Sequence, residues 1–216
     1  MEFEKFKRSL SKIENLELPG ESAQYKMAPI ERLHELKKLA IEKQSAKKAA
    51  VLALFYPDAT AMTKLILILR KTYKGVHSAQ VGFPGGKAEL GDTTLVQTAL
   101  RETCEEIGVV PEKIKVVKQL TDIYIPPSNY IVQPFIGITD VPPLFKKQDD
   151  EVEDLIEVPL RHFLDEKSII TQTITTSYAV DIQVPAFLLN GHIVWGATAM
   201  MLSEIRYLLL EGIKSS

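Results

Sequence analysis

The sequence has 216 residues and a mass of 24.2 kDa, with 45% hydrophobic and 25% charged residues. That length is enough for one large domain or two small ones with a sizeable core. The 26 basic and 28 acidic side chains leave a net charge of −2, so composition does not favour a nucleic acid or a membrane as partner. The single cysteine, Cys104, excludes an internal disulfide. Because no apolar signal segment or membrane span is evident, we expect a cytoplasmic globular protein.

The N-terminal third changes from helical to strand periodicity. Apolar residues at helical spacing predict helices over residues 2–16 and from about Pro29 to Lys47. Two short runs rich in Val, Ile and Leu, Ala49–Tyr56 and Leu65–Leu69, flank a turn-forming segment and predict a β-hairpin. We therefore divide the chain into a helical extension, residues 1–47, and a main domain, residues 48–216.

The rest of the chain predicts strands around two helices. One helix is predicted over Thr93–Ile107, because Gly108 is a favoured residue just past a helix end, and a last helix runs from about Ala197 to Leu210. Strands are predicted at Ile114–Ile125, Ile131–Ile138, Asp154–Val158, Ile169–Val184 and Ile193–Trp195. Because strands and helices do not alternate regularly, the fold class is α+β with a mixed sheet between helices.

The helix over Thr93–Ile107 gathers acidic side chains on one face. Glu102, Glu105 and Glu106 fall within an arc of about 100°, opposite the apolar residues. Like charges in a last helical turn repel one another and oppose the helix dipole. Three convergent carboxylates form an oxygen-ligand site that suits Mg²⁺ or Mn²⁺ better than zinc. Since such ions complete their shell with phosphate oxygens, the cluster indicates phosphate-anhydride chemistry.

From Gly86 the chain follows the pattern G-x5-D-x8-RE-x2-EE-x-G, which resembles the Nudix box. Asp92 replaces the first Glu of the usual box, Thr103 occupies an aliphatic position, and one extra residue precedes Arg101. The longer spacing is similar to that of the coenzyme A pyrophosphatase branch of the Nudix family.

Segments on both sides of the box resemble the same branch. Upstream, Arg70, Gln80 and Phe83–Gly86 match its signature in type and spacing, whereas Lys71, Gly75 and Ala79 depart from it. Downstream, Asp150–Leu160 and Ile193–Thr198 are also similar, so that the resemblance covers about residues 48–210.

The resemblance implies a Nudix-type α/β/α sandwich, preceded here by the N-terminal helices, in which a loop–helix–loop holds Mg²⁺ or Mn²⁺. By position, Glu102 and Glu106 are the expected metal ligands. Glu105 is a third ligand or orients a reacting water. Arg101 belongs with the catalytic group, where its planar donors suit pairing with a carboxylate better than contact with substrate.

Further site residues are expected outside the glutamate cluster. Glu151 is the candidate catalytic base, with Glu153 as its rival. The expected substrate contacts are Arg70, Gly86, Lys87 and His77, although Lys87 also fits a solvated side chain and His77 a structural donor. Gly85 and Gly86 are expected to supply positive φ angles and close backbone approach.

Four other features bear on the predicted site. Asp92 fits a helix N-cap better than a metal ligand. The segment Tyr124–Asn129 either lines a nucleotide pocket or ends a strand. Trp195 lies in an apolar strand and is assigned to the core, and Cys104 is assigned to packing and not to nucleophilic attack.

The resemblance implies a metal-dependent hydrolase that cleaves CoA or acyl-CoA to 3′,5′-ADP and (acyl-)4′-phosphopantetheine. Two alternatives remain open: a pyrophosphatase for ADP-ribose or another nucleoside diphosphate derivative, and a nucleotide-sensing Nudix domain without turnover. The partner is therefore a small nucleotide, with no nucleic acid or membrane involved. The N-terminal helices are expected to offer an interface for a homodimer.

Overall fold

The computed structural model describes residues 1–29, 45–71, 80–176 and 179–214. The helices are α1 (Phe3–Ile13), α2 (Glu21–Gln24), α3 (Leu95–Ile107), α4 (Leu160–Leu164) and α5 (Gly196–Lys214). The strands are β1 (Lys47–Pro57), β2 (Thr63–Arg70), β3 (Val81–Gly82), β4 (Gly85–Lys87), β5 (Lys115–Gln119), β6 (Ile123–Ile125), β7 (Tyr130–Ile138), β8 (Val152–Pro159), β9 (Ile169–Thr176), β10 (Ala179–Leu189) and β11 (His192–Val194). Among these helices, none is long and apolar enough to cross a membrane.

Strand β1 is the centre of a mixed sheet. It pairs in parallel with β7 from Lys47↔Tyr130 to Phe55↔Ile138, and antiparallel with β2 and β4. The order is β3-β2-β1-β7-β5, with β8 joined to β2 and β6 joined to β7, while β11, β10 and β9 form a separate antiparallel sheet. The predicted α+β class with a mixed sheet is therefore confirmed.

Alternating side chains of β1 serve two apolar cores. Val51, Ala53 and Phe55 pack in the core that contains α1 and α5. Leu52 and Leu54 belong to the second core, beneath α3. A strand covered by helices on both faces requires a nearly continuous apolar run, and this is what the sequence has between Ala49 and Tyr56.

Helix α1 packs into the main core through the face that its spacing predicts. Phe3, Phe6, Leu10 and Ile13 are all buried. Near the end of α5, a Cβ atom added at Gly212 would lie 2.7 Å from Cγ1 of Ile13, so the two helices meet closely there. The apolar face of α1 is thus used within the chain, and the homodimer stays a prediction.

Two single strands predicted from the sequence are wrong, because each is a pair. The segment Ile114–Ile125 divides into β5 and β6 opposite Pro134 of β7, which has no N–H to donate. The amide Nε2 of Gln133 instead donates to the Leu120 carbonyl at 2.6 Å. The segment Ile169–Val184 belongs to a hairpin of β9 and β10, paired antiparallel from Phe187↔Ile169 to Ala179↔Thr176.

The second predicted helix, from about Pro29 to Lys47, falls mainly on residues 30–44, which lie outside the described residues. Its predicted end is wrong, because Lys47 is the first residue of β1.

The Gly212 contact predicts the effect of overpacking between α1 and α5. Gly212→Leu should lower the free energy of unfolding by about 1–3 kcal/mol, because Ile13 is fully buried and has no room to move. Urea unfolding measures this loss. The matched control is Gly91→Leu, since a Cβ atom at Gly91 meets nothing within 4 Å. Equal stability of the two variants would contradict close packing of α1 on α5.

Candidate active site

Local hydrogen bonds define both ends of helix α3. At the start, the Thr94 hydroxyl accepts a hydrogen bond from the backbone N–H of Gln97 at 3.3 Å. At the end, Gly108 has a φ of 75° and its N–H donates to the Cys104 carbonyl at 2.9 Å. The N-cap is therefore Thr94 and not Asp92, which corrects the sequence-based assignment.

Asp92 instead fixes the guanidinium of Arg101. The Nε and Nη2 atoms of Arg101 donate to the two oxygens of Asp92 at 3.1 and 2.9 Å. Asp92 also accepts from the Thr98 hydroxyl at 2.9 Å and the Glu89 N–H at 3.0 Å. These hydrogen bonds, that of Arg101 foremost, hold the pKa of Asp92 far below its usual range.

The third donor atom of Arg101 joins two box glutamates. Its Nη1 lies 3.0 Å from Oε1 of Glu102 and 3.0 Å from Oε2 of Glu105. Nη2 also donates to the Lys87 carbonyl at 3.0 Å. Arg101 thus links the helix to the loop that precedes it and offsets the repulsion between neighbouring carboxylates.

The two glycines before the helix serve different purposes. Gly85 has a φ of 146°, and a Cβ atom there would lie 2.3 Å from the Ala50 carbonyl oxygen. Gly86 does not have a positive φ angle, so the predicted positive φ is wrong at this position. A Cβ atom at Gly86 would lie 2.5 Å from Oε2 of Glu102, and its absence leaves room for that carboxylate.

Glu106 is 1% exposed and its carboxylate is held from two sides. Oε2 accepts a hydrogen bond from the Gly85 N–H at 2.7 Å, and Oε1 lies 3.4 Å from Nη2 of Arg70. The same Nη2 donates to the Gly85 carbonyl at 2.6 Å. Burial raises the pKa of Glu106 to about 7, although the charge of Arg70 acts in the opposite direction.

Glu151 precedes β8 and faces the same group of carboxylates. Its negative charge contributes to raising the pKa of Glu102 and of Glu106, after the larger effect of burial. Its side chain lines the cleft described below, whereas Glu153 is not a lining residue. The geometry therefore favours Glu151 over Glu153 as the carboxylate nearer to the box.

These groups border a cleft of about 520 Å³. Arg70, Gly86, Lys87, Glu102, Glu105 and Glu151 line it, whereas Glu106 lies beneath the Gly85 backbone. Ile125, Pro127, Ser128 and Tyr130 also line it, which agrees with a pocket-lining role for the Tyr124–Asn129 segment. His77 lies outside the described residues.

Trp195 is a lining residue that sequence reasoning placed elsewhere. It follows β11 and is half-buried in the wall of the cleft, so its assignment to the core is wrong. The available signal was Gly196, which has a φ of 64° and turns the chain into α5 directly after the strand.

The carboxylates suit a divalent cation by their chemistry. In the residues that the structure describes, no three Asp, Glu, His or Cys side chains are arranged to hold a metal ion. Glu102 and Glu106 are instead paired with Arg101 and Arg70. Carboxylate oxygens are ligands that Mg²⁺ and Mn²⁺ prefer. The positive charge of such an ion would offset the cost of burying the two carboxylates and the repulsion between neighbouring ones, which together raise the pKa values of Glu102 and Glu106.

The raised pKa of Glu106 predicts how stability depends on pH without metal. An unfolded Glu titrates near about 4.3, so between about 4.3 and 7 the folded chain binds more protons, and the free energy of unfolding falls as pH rises. In EDTA at pH 8, we expect Glu106→Gln to be more stable than the unsubstituted chain by up to about 3 kcal/mol. This gain should disappear towards pH 4.

Urea unfolding across that pH range measures the difference. Glu112→Gln is the control, because Glu112 is exposed and does not line the cleft. A gain that stays constant with pH would show that burial of the Glu106 charge does not cause it.

The sequence of this chain is similar to those of known Nudix proteins. The family model for the NUDIX domain matches residues 46–173. A Nudix hydrolase of Pectobacterium atrosepticum, NudL, is 32% identical over 172 residues, which are 74% of this chain and 81% of that protein. The human mitochondrial coenzyme A diphosphatase NUDT8 is 32% identical over 139 residues, 64% of this chain and 59% of that protein.

A crystal structure of a MutT/nudix family protein from Enterococcus faecalis superimposes with a TM-score of 0.54 at 16% identity, covering 91% of this chain and 76% of that one. Its low identity makes it evidence for the fold alone. The family match covers more than half of the chain, and the relative from Pectobacterium extends over most of both sequences. This chain therefore belongs to the Nudix hydrolase family.

Proposed function

We propose that this Nudix hydrolase cleaves the diphosphate linkage of CoA or acyl-CoA, releasing 3′,5′-ADP and (acyl-)4′-phosphopantetheine. The observation that carries the proposal is that a single cleft is lined by Glu102 and Glu105 and also by the apolar side chains of Ala49, Val51 and Val132. A substrate that fits such a cleft has a charged diphosphate and a long, less polar arm. The similarity to the human coenzyme A diphosphatase NUDT8 supports the same substrate class.

The charged side of the cleft suits diphosphate hydrolysis. Nudix hydrolases use divalent metal ions, and we propose that Glu102 and Glu106 hold Mg²⁺ or Mn²⁺, with Glu105 as a third ligand or a group that orients water. When bound, such an ion neutralises the diphosphate oxygens and activates water for attack on phosphorus. Arg101 keeps Glu102 and Glu105 in place through the contacts at 3.0 Å.

We assign proton acceptance to Glu151. An attacking water must lose its proton to a nearby base, and the Glu151 carboxylate lies at the cleft, close enough to Glu102 and Glu106 to affect their titration. No covalent intermediate is needed.

The phosphate contacts are proposed to come from residues beside the box carboxylates. Lys87 is exposed at the end of β4 and lines the cleft, so its ammonium can approach a phosphate without losing an existing partner in the core. Arg70 lines the cleft as well, while its Nη2 also supports Gly85 and Glu106. Gly86 allows close backbone approach, and a contact from His77 stays a prediction.

The first test is a chromatographic product assay with CoA, dephospho-CoA and ADP-ribose, each with Mg²⁺, with Mn²⁺ and with EDTA. We expect 3′,5′-ADP from CoA when either metal is present, and no product in EDTA or with Glu106→Gln. A preference for ADP-ribose would support the alternative nucleoside diphosphate activity. Metal-dependent ligand binding without any product would support a sensing domain instead.

A pair of variants tests the catalytic base. Glu151→Gln should lower kcat by about 10²–10⁴-fold, since it removes the group that accepts a proton in the transition state. Glu153→Gln is the matched control, because Glu153 does not line the cleft, and we expect its kcat to match that of the unsubstituted enzyme. The assignment fails if the larger loss is found with Glu153→Gln, or if neither change lowers kcat.

A further inference from the structure

The segment between β7 and β8 packs against the end of helix α3. The last carbonyl groups of an α-helix have no partner within the helix and need one from elsewhere. Here the Gln148 N–H donates to the Glu106 carbonyl at 3.0 Å. The Lys146 N–H likewise donates to the Ile107 carbonyl at 3.0 Å. The backbone of a box glutamate is therefore bonded directly to the segment that carries Glu151.

Gln148 is also the centre of the turn that leads to Glu151. Its carbonyl oxygen accepts hydrogen bonds from the N–H of Val152 at 2.9 Å and from the N–H of Glu151 at 3.3 Å. Its side-chain Oε1 accepts a further hydrogen bond from the Asp150 N–H. Gln148 thus holds the backbone of three successive residues, and its side chain supplies one of the three bonds.

A second route connects Glu151 to Glu106 from the side of the sheet. The Glu151 carbonyl accepts a hydrogen bond from the Lys71 N–H at 3.0 Å, and Lys71 directly follows Arg70 at the end of β2. Nη2 of Arg70 in turn lies 3.4 Å from Oε1 of Glu106. Together with the bonds of Gln148, these contacts form a closed ring, so the main chain at Glu151 is fixed relative to Glu106 from two directions.

The pairing of β8 with β2 is irregular at the same place. Leu69 pairs with Asp154, but the next residue, Arg70, pairs with Val152, which makes Glu153 the extra residue of a β-bulge. Acidic residues two positions apart would share one face of a regular strand, whereas a bulge redirects a side chain and is frequent beside active sites. Only the acidic residue before the bulge lines the cleft.

We propose that Gln148 is a positioning residue, which holds the turn that places the Glu151 carboxylate beside the box glutamates and thereby sets kcat. The inference rests on the proposed function, in which Glu151 accepts the proton of the attacking water. Gln148 does not line the cleft, so it acts through the backbone of Glu151 and not on the substrate. A misplacement of about 1 Å can lower the rate by about 10²-fold.

Replacing the acceptor oxygen of Gln148 tests this role. Gln148→Met keeps a side chain of similar length but cannot accept the hydrogen bond from the Asp150 N–H. With CoA and Mg²⁺, we expect kcat to fall by about 10–10²-fold at an unchanged KM. Asp149→Asn is the matched control, because Asp149 is an exposed residue of the same turn whose carboxylate pairs only with Lys147, at 3.2 Å. We expect its kcat to equal that of the unsubstituted enzyme.

A double-mutant cycle distinguishes positioning of the base from general damage to the fold. In a chain that already carries Glu151→Gln, adding Gln148→Met should lower kcat by less than about twofold, because the group that it positions is gone. An equal fall in both backgrounds would overturn the proposal, since Gln148 would then act independently of Glu151.

Hydrogen exchange of backbone amides provides a readout without turnover. In Gln148→Met, the amides of Glu151 and Val152 should exchange at least about threefold faster than in the unsubstituted chain, because the turn that protects them is loosened. Asp149→Asn should leave both exchange rates unchanged.

The kinetic and exchange measurements separate this inference from the proposed function. If CoA is cleaved and Glu151→Gln lowers kcat, an unchanged kcat in Gln148→Met overturns the inference alone. If CoA is not cleaved, or if Glu151→Gln leaves kcat unchanged, the proposed function fails in its substrate or its base, and the exchange rates decide whether Gln148 holds the turn. Faster exchange at Glu151 and Val152 would support that role, and unchanged exchange would overturn it.

Discussion

The geometry of the box depends on the pairing of one guanidinium with four groups. Arg101 is held by both oxygens of Asp92 and then reaches Glu102, Glu105 and the Lys87 carbonyl. Without it, adjacent carboxylates near the negative end of helix α3 would repel one another and turn towards solvent. The planar fork of Arg suits this arrangement, because its nitrogens donate in fixed directions to several partners at once.

The buried glutamate is positioned by the backbone on the other side. Glu106 accepts from the Gly85 N–H, and Arg70 contacts both Glu106 and the Gly85 carbonyl. Gly85 itself is pressed against Ala50 of β1, where no side chain fits. The position of Glu106 is therefore set by Gly85, which the central strand β1 holds in place. The Gly85 N–H and the charge of Arg70 stabilise the Glu106 carboxylate at a buried position that raises its pKa.

Local sequence patterns were sufficient for the parts of the site that lie within one helix. The spacing of Glu102, Glu105 and Glu106 placed them on one face, and Gly108 marked the end of α3. The partner of Arg101 was beyond this reasoning, because Asp92 comes into contact through a loop that folds back on the helix. Trp195 was assigned to the core for a similar reason: an apolar strand residue looks the same in sequence whether helices or a cleft cover it. The strand breaks beside Pro134 and within the β9–β10 hairpin were missed because pairing partners, and not local periodicity, determine where they occur.

Helix α5 spans the molecule from the cleft to the N-terminal helix. Its 19 residues cover about 28 Å; one end carries the start of the cleft wall, the middle holds Glu204 in hydrogen bonds with Thr121 and Gln24, and the other end packs on Ile13 at Gly212. These contacts fix α5 at its middle and near its C-terminal end. Helix α1 therefore supports the C-terminal end of the same helix whose first turns line the cleft, so that the packing of Phe3–Ile13 helps to fix one wall of a site built by other described parts of the chain.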